Sequence, residues 1–254
     1  MSTSDRPTSS SPHPRPGRPV YAGVDVGADR LNAVLLSPAP ASDGASGPGA
    51  DPASDPARAS DGAPGMHPAQ GAVPARWAVT GVYTGGPEGL VSFCSGAARV
   101  GVDAPGGPSR GAHLGDPSVA PKFRSGRCSE VPVAGWPAVS WVTPRDEAAA
   151  PGWMATGFAV WRTLQAGGLA VVETFPAAAF HRLNGRRWPP RKSTPEGRAA
   201  RLTLLSELVD LPAGADRWTH DDIDAAACAL VAAAGQPLAH CCPAPDGSVM
   251  WVIG

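Results

Sequence analysis

Two short apolar runs in this chain each end on an aspartate, and this narrows the folds open to it. Tyr21-Ala22-Gly23-Val24 leads into Asp25, and Val100-Gly101-Val102 leads into Asp103. Runs of this length and composition read as buried strands, so their ends fall at the rim of a sheet. A third group of acids, Asp221, Asp222 and Asp224, opens the stretch Ala225-Ala226-Ala227-Cys228-Ala229-Leu230-Val231. That stretch is apolar nearly all round, as a buried helix is. Two strand ends and one helix start can bring these acids to one point. Carboxylates so crowded repel unless a cation sits between them, and an all-oxygen ligand set suits Mg²⁺ or Mn²⁺.

Taken singly, each acid has a plainer reading. An Asp after a strand serves as a turn or cap residue, and acids in a helix first turn favour the helix dipole. The buried character of the last helix tips the balance. Acids at its start lie near the core edge, where burial costs free energy unless they are paired.

Composition sets the size of the core. The chain has 31 Gly and 30 Pro, concentrated in particular stretches. Residues 1–18 read as a disordered tail, and residues 38–72, almost wholly Ala, Ser, Asp, Gly and Pro, as a disordered insertion between two strands. What remains of 19–254 is one domain, large enough to bury a good core. The net charge of −1 gives no global attraction to polyanions, so any such site must be a local patch. Five cysteines lack framework spacing, which points to reduced thiols and a cytoplasmic protein. No segment reaches the roughly 18 apolar residues of a membrane span, and the N-terminus lacks the apolar centre of a signal peptide.

Periodicity predicts strands at 19–26, 31–36 and 75–83, a helix over 87–98, and a strand at 100–102. After an irregular stretch, 104–150, come a helix at 152–165 and a strand at 169–172. A helix then starts at Thr194-Pro195, with Thr as N-cap and Pro at the first helical position. A last helix at 220–234 and a closing strand at 249–253 complete the chain. The expected architecture is α/β: a three-strand antiparallel meander plus parallel strands in one mixed sheet flanked by helices.

Basic residues form the second informative feature. Arg182, Arg186, Arg187, Arg191, Lys192, Arg198 and Arg201 stand against one acid, Glu196, over twenty residues. Lys192, Arg198 and Arg201, at the start of a helix whose amides point outward, form a candidate phosphate site. Trp136, Trp141 and Trp188 fall in loops, where they would pack or stack bases.

The ordered set of segments Gly23-Val24-Asp25, Val102-Asp103-Ala104-Pro105, Val172-Glu173-Thr174-Phe175-Pro176, Lys192 to Arg201 and His220 to Ala225 resembles the domain of unknown function 429 family, read as ribonuclease H-like nucleases. The resemblance implies a ribonuclease H-like fold and a Mg²⁺- or Mn²⁺-dependent nuclease working by a two-metal carboxylate mechanism on a nucleic acid substrate. It puts catalytic acids at Asp25, on the first strand, and at Asp103, on the fourth. It puts two more on the last helix, Asp221 and Asp224, with Asp222 as the other alignment of the first. Glu173 occupies a further acid position, and Arg127 with Glu130 a weaker one. Asp25, Asp103, Asp221 and Asp224 would be the metal ligands, with Asp25 the bridging one.

Two rivals stand beside this. A phosphotransferase of the actin-like or sugar-kinase type also begins with a Val-Asp-Val-Gly strand, but a second Gly-rich phosphate loop is missing. A catalytically silent nucleic-acid-binding or scaffold protein would keep the fold without metal dependence.

Overall fold

The computed structural model describes residues 18–40, 76–238 and 246–253. The expected tail up to residue 17, and the expected insertion from residue 41 onward, lie outside the described residues.

Strands β1 (Val20–Val26) and β2 (Leu31–Pro38) pair antiparallel across a turn in which the Gly27 amide donates to the Arg30 carbonyl at 3.0 Å. β3 (Trp77–Gly85) pairs antiparallel with β2 and completes the expected meander. β4 (Ala97–Asp103) lies parallel to β1, β5 (Val171–Thr174) parallel to β4, and β8 (Met250–Ile253) parallel to β5. Short edge strands β6 (Val209–Asp210) and β7 (Gly235–Pro237) extend the sheet. The order is β6-β3-β2-β1-β4-β5-β8-β7. The α/β mixed sheet of meander plus parallel strands is thus present. β6, β7 and the early helix end were not foreseen.

The predicted helix over 87–98 is a 3-10 turn, Pro87–Gly89, followed by α1 (Leu90–Cys94). It stops because Ser95 turns extended and Gly96 adopts a φ of 82°, which resets the chain for β4. α2 (Gly152–Ala166) matches its periodicity. α3 (Pro176–Leu183) was not resolved from the sequence, although Pro176 stands at its first position. α4 (Pro195–Ser206) is capped as expected, with the Thr194 hydroxyl accepting from the Gly197 amide at 3.1 Å. α5 (His220–Ala234) opens with a capping box between Thr219 and Asp222.

One sheet face carries α3, α4 and α5. There Val34 and Leu36 pack with Phe180, Leu205, Ile223 and Leu230. The other face carries α1 and α2, where Val24, Val100 and Val102 meet Leu90, Val160 and Leu164. Each such side chain contributes about 1.5–3 kcal/mol by leaving water. The irregular stretch after β4 adds a third cluster, with Phe123, Val133, Phe175 and Val252.

Two paired glycines set the height of α5 above the sheet. Gly23 of β1 lies opposite Gly101 of β4 in the parallel register. A Cβ on Gly23 would lie 2.0 Å from the Ala229 amide nitrogen, and one on Gly101 2.5 Å from the Cys228 carbonyl oxygen. The helix backbone therefore rests directly on the two strands that end in Asp25 and Asp103. Cys94 and Cys228 are buried free thiols, while Cys128 is disulfide-bonded, against the expectation of reduced thiols throughout. Among the described residues no helix is long and apolar enough to cross a membrane.

Candidate metal centre

The site follows from register. Asp25 of β1 pairs with Asp103 of β4 in the parallel ladder, so both side chains leave the same face at adjacent strand ends. Strand spacing alone puts their Cα atoms about 5 Å apart. Asp224 lies in the second turn of α5, and the close seat of that helix on Gly23 and Gly101 lowers it onto the pair. One carboxylate oxygen from each of Asp25, Asp103 and Asp224 lies within 4.8 Å of the other two. Asp25 and Asp224 are buried and Asp103 is partly so.

This crowding disfavours charge. Burial, then Asp103 and Asp224, push Asp25 up to about 9. Burial, then Asp224, push Asp103 up to about 7. Asp224 is raised by burial, against which the ammonium of Lys192 works. Lys192 Nζ lies 2.6 Å from Asp224 Oδ2. Its burial works against the charged amine, but Asp224 outweighs that and holds the amine above its usual value. Three ionised carboxylates with one ammonium leave two negative charges, the complement of one divalent cation. An all-oxygen donor set of this kind fits Mg²⁺ or Mn²⁺ and lacks the nitrogen and sulfur that zinc prefers.

Several expected site residues stand elsewhere. Asp221 is three residues before Asp224, about 4.5 Å back along the axis, beyond the strand ends. It meets His220 Nδ1 at 2.6 Å and Arg30 at 3.8 Å, outside the group of three. Asp222 is no substitute. Its carboxylate accepts from the Thr219 amide at 2.8 Å and from the buried Asn32 amide at 2.5 Å.

Glu173 is on the other sheet face. It pairs with Val102, while Thr174 reaches Cys228 of α5 at 3.1 Å. Alternation along β5 therefore turns Glu173 away from the acids. Arg127 holds it at 2.7 Å, and Glu130 accepts from the Arg127 and Thr143 amides, both at 3.1 Å. The weaker pair, Arg127 and Glu130, thus anchors the irregular stretch to the sheet. A cavity of about 420 Å³ opens beside Arg127, Glu173 and Asp246, apart from the three aspartates.

Of the phosphate candidates, Arg198 is exposed. Arg201 is buried, donates to the Pro190 carbonyl at 2.7 Å and the Gly197 carbonyl at 3.0 Å, and faces the Phe180 ring. It shapes the turn before α4 rather than reading a ligand. Lys192, expected to bind phosphate, sits on Asp224 instead. Sequence reasoning missed both this pairing and Asn32. A hint to the latter was available, since Asn32 is the polar break in β2 directly opposite Asp25.

The raised acids fix a pH dependence. Asp25, Asp103 and Glu173, the last also pushed up by burial to about 7, keep protons in the folded chain that the unfolded chain releases near pH 4. Their stability contribution is full below that pH and is lost as pH rises through about 7 and then about 9. In EDTA, the melting temperature should fall between about pH 5 and pH 9, as measured by calorimetry. A flat or rising profile would show that the acids are not crowded in solution.

Fold and centre together define an α/β protein whose parallel strand ends and central helix converge three carboxylates on one point. The family described as protein of unknown function (DUF429) matches residues 86–247, and the chain belongs to that family. The matched span holds Asp103, Lys192 and Asp224, and Asp25 precedes it. No curated protein and no solved structure matches the chain.

Proposed function

We propose that this protein is a divalent-metal-dependent nuclease of ribonuclease H-like type, cleaving phosphodiester bonds of nucleic acid at the Asp25–Asp103–Asp224 centre. The observation that carries the reading is the meeting of three carboxylates from distant parts of the chain within 4.8 Å. Residues that serve only to cap or turn have no reason to meet at one buried point, where each raises the others' proton affinity. When bound, a divalent cation supplies Lewis-acid activation of the phosphodiester and of water.

The chain's own residues do the rest. Asp25 and Asp103, fixed by the β1–β4 ladder, give a rigid pair of oxygen donors. Asp224 closes the group from above, and Lys192, half exposed at its rim, is placed to exchange its carboxylate partner for a phosphate oxygen. Exposed Arg198 lies one turn into α4, where it would meet the flanking backbone. A cytoplasmic location goes with this substrate, and against it stands the Cys128 disulfide.

The test combines binding and turnover. Calorimetric titration with Mn²⁺ at about pH 8 should show saturable binding with proton release. Labelled single-stranded DNA, RNA, hybrid and junction substrates should be cut in Mn²⁺ and spared in EDTA. Absence of both binding and cleavage would leave the second reading, a silent nucleic-acid-binding or scaffold protein. One contact favours that reading: the Lys192–Asp224 pair already supplies a cation to the acids. The two diverge for Lys192→Ala. Freeing Asp224 strengthens Mn²⁺ binding if the centre holds metal, and uncovers none if it does not.

A further inference from the structure

The segment that joins α3 to α4 carries the strongest surface feature not yet assigned. α3 ends in a reversal. The Gly185 amide donates to the Arg182 carbonyl at 3.2 Å, and the Arg186 amide to the His181 carbonyl at 2.8 Å. The Asn184 side-chain amide locks the turn on the Arg187 carbonyl at 3.0 Å. Arg186 adopts a φ of 64°, a left-handed conformation that any residue with a Cβ takes at a cost. A long side chain in such a conformation is an outlier from which a use can be inferred.

The turn presents Arg186 and Arg187 to solvent, and Arg191 follows, also exposed. Among the described residues these three side chains make no hydrogen bond or ion pair, and no acid lies between 182 and 192. Their guanidinium forks are free for phosphate, which they match bidentately.

An aromatic group stands in the same segment. Trp188 stacks on His181 with centroids 4.4 Å apart, and Trp136 meets Trp188 edge-on at 5.6 Å. Trp136 is backed in turn by Phe175, so the rings are held rather than loose. Both tryptophans remain partly exposed. From Trp188 the chain runs through Pro189-Pro190-Arg191 to Lys192, whose ammonium lies on Asp224. Four residues span at most ~14 Å, so the Cα atoms of Trp188 and Lys192 lie within that distance, and Lys192 in turn touches the acid centre through Asp224.

We infer that the Trp136–Trp188 rings and Arg186, Arg187 and Arg191 form a binding surface for single-stranded nucleic acid, which leads an unpaired strand toward the three aspartates. This deepens the proposed function by naming the substrate class, and it rests on that reading for the destination of the strand. Fixed guanidinium groups take the phosphates and ring faces take the bases. A duplex fits less well. Its internal bases stack on one another and only the two end pairs offer a face to Trp188, so the arginines would provide most of its binding.

The test is binding in EDTA, where cleavage plays no part. The probes are labelled oligo-dT and oligo-U strands and a blunt DNA duplex, each about 12 nucleotides long, within the span of known single-strand sites. Anisotropy should give tighter binding of both single strands than of the duplex, with quenching of tryptophan fluorescence. Trp188→Ala should raise Kd roughly 5- to 150-fold, the loss of one stacked base, and Trp188→Phe should restore most of it. Arg186→Gly relieves the left-handed strain, so its melting temperature should hold or rise. Its salt slope should nevertheless drop by about 0.7, one phosphate contact.

Equal or tighter binding of the duplex overturns the inference, as does unchanged affinity in Trp188→Ala or an unchanged salt slope in Arg186→Gly. If strands bind as described but wild type cuts nothing in Mn²⁺, the nuclease reading falls and the strand-binding surface stands.

Discussion

Asp25→Asn should leave the metal-free protein folded, with a melting temperature at or above wild type at about pH 8, and should remove most of its stabilisation by Mn²⁺. Asp25 is pushed up to about 9 by burial and by its two acidic neighbours, so at about pH 8 it is largely protonated in the folded state. Asn is the neutral isostere of that protonated form, and little packing or charge is lost. Binding a cation requires the Asp25 proton to leave, and Asn cannot supply the resulting charge. At a Mn²⁺ concentration 100 times its Kd, wild type gains about 2.7 kcal/mol. Loss of a direct anionic ligand costs more than the 10- to 100-fold penalty typical of an outer partner. With Kd raised about 100-fold, the variant gains only about 0.4 kcal/mol. For a chain of this size the difference corresponds to roughly 5–10 °C in the Mn²⁺-induced shift. Equal shifts in the two proteins would remove Asp25 from any metal site.

Why Asp25 was legible and other residues were not comes down to what periodicity encodes. The runs before Asp25 and Asp103 are buried on both faces, and such runs announce parallel central strands. Two Asp residues at equivalent strand ends then meet almost automatically. The Ala-rich helix announced its own burial, which put Asp224 near the core. Periodicity did not give the rotation of α5, and three acids in four residues left several choices. Only the close approach at Gly23 and Gly101 selects Asp224 and leaves Asp221 at the rim.

Glu173 was misplaced for a related reason. Val171-Val172-Glu173 has no alternation, so its sequence does not say which way the acid points; the pairing with Val102 does. Lys192 and Arg201 came from one basic run, yet one sits on Asp224 and the other is buried under Pro190. Local charge density cannot distinguish an arginine that faces solvent from one that secures carbonyls. The fold was legible where burial imposes a pattern. The site was legible where strand ends impose a position, and only there.

Gly23→Ala should be the most damaging single methyl addition in the β1–α5 contact, and it should damage stability and metal affinity together. The new Cβ would stand 2.0 Å from the Ala229 nitrogen, 2.1 Å from the Ala225 oxygen and 2.7 Å from the Cys228 carbonyl carbon. All three are helix backbone atoms, so no rotamer change can clear them. Normal contact needs α5 to rise by more than an ångström over β1, against its packing on β2 and β4. Overpacking a core costs about 1–3 kcal/mol when side chains can give way, and more when they cannot. The expected loss therefore lies at or above about 3 kcal/mol in a denaturant titration. Asp224 rides on the same helix and would lift away from Asp25 and Asp103, so surviving folded protein should bind Mn²⁺ weakly. Gly81→Ala is the matched control. Its nearest neighbours are side-chain atoms of Leu35 and Phe93, both at 3.3 Å, which can shift by tenths of an ångström. That variant should lose less than about 1 kcal/mol and keep its Mn²⁺ response. If the two alanine variants behave alike, the glycine pair does not set the height of α5, and the convergence of the three aspartates needs another cause.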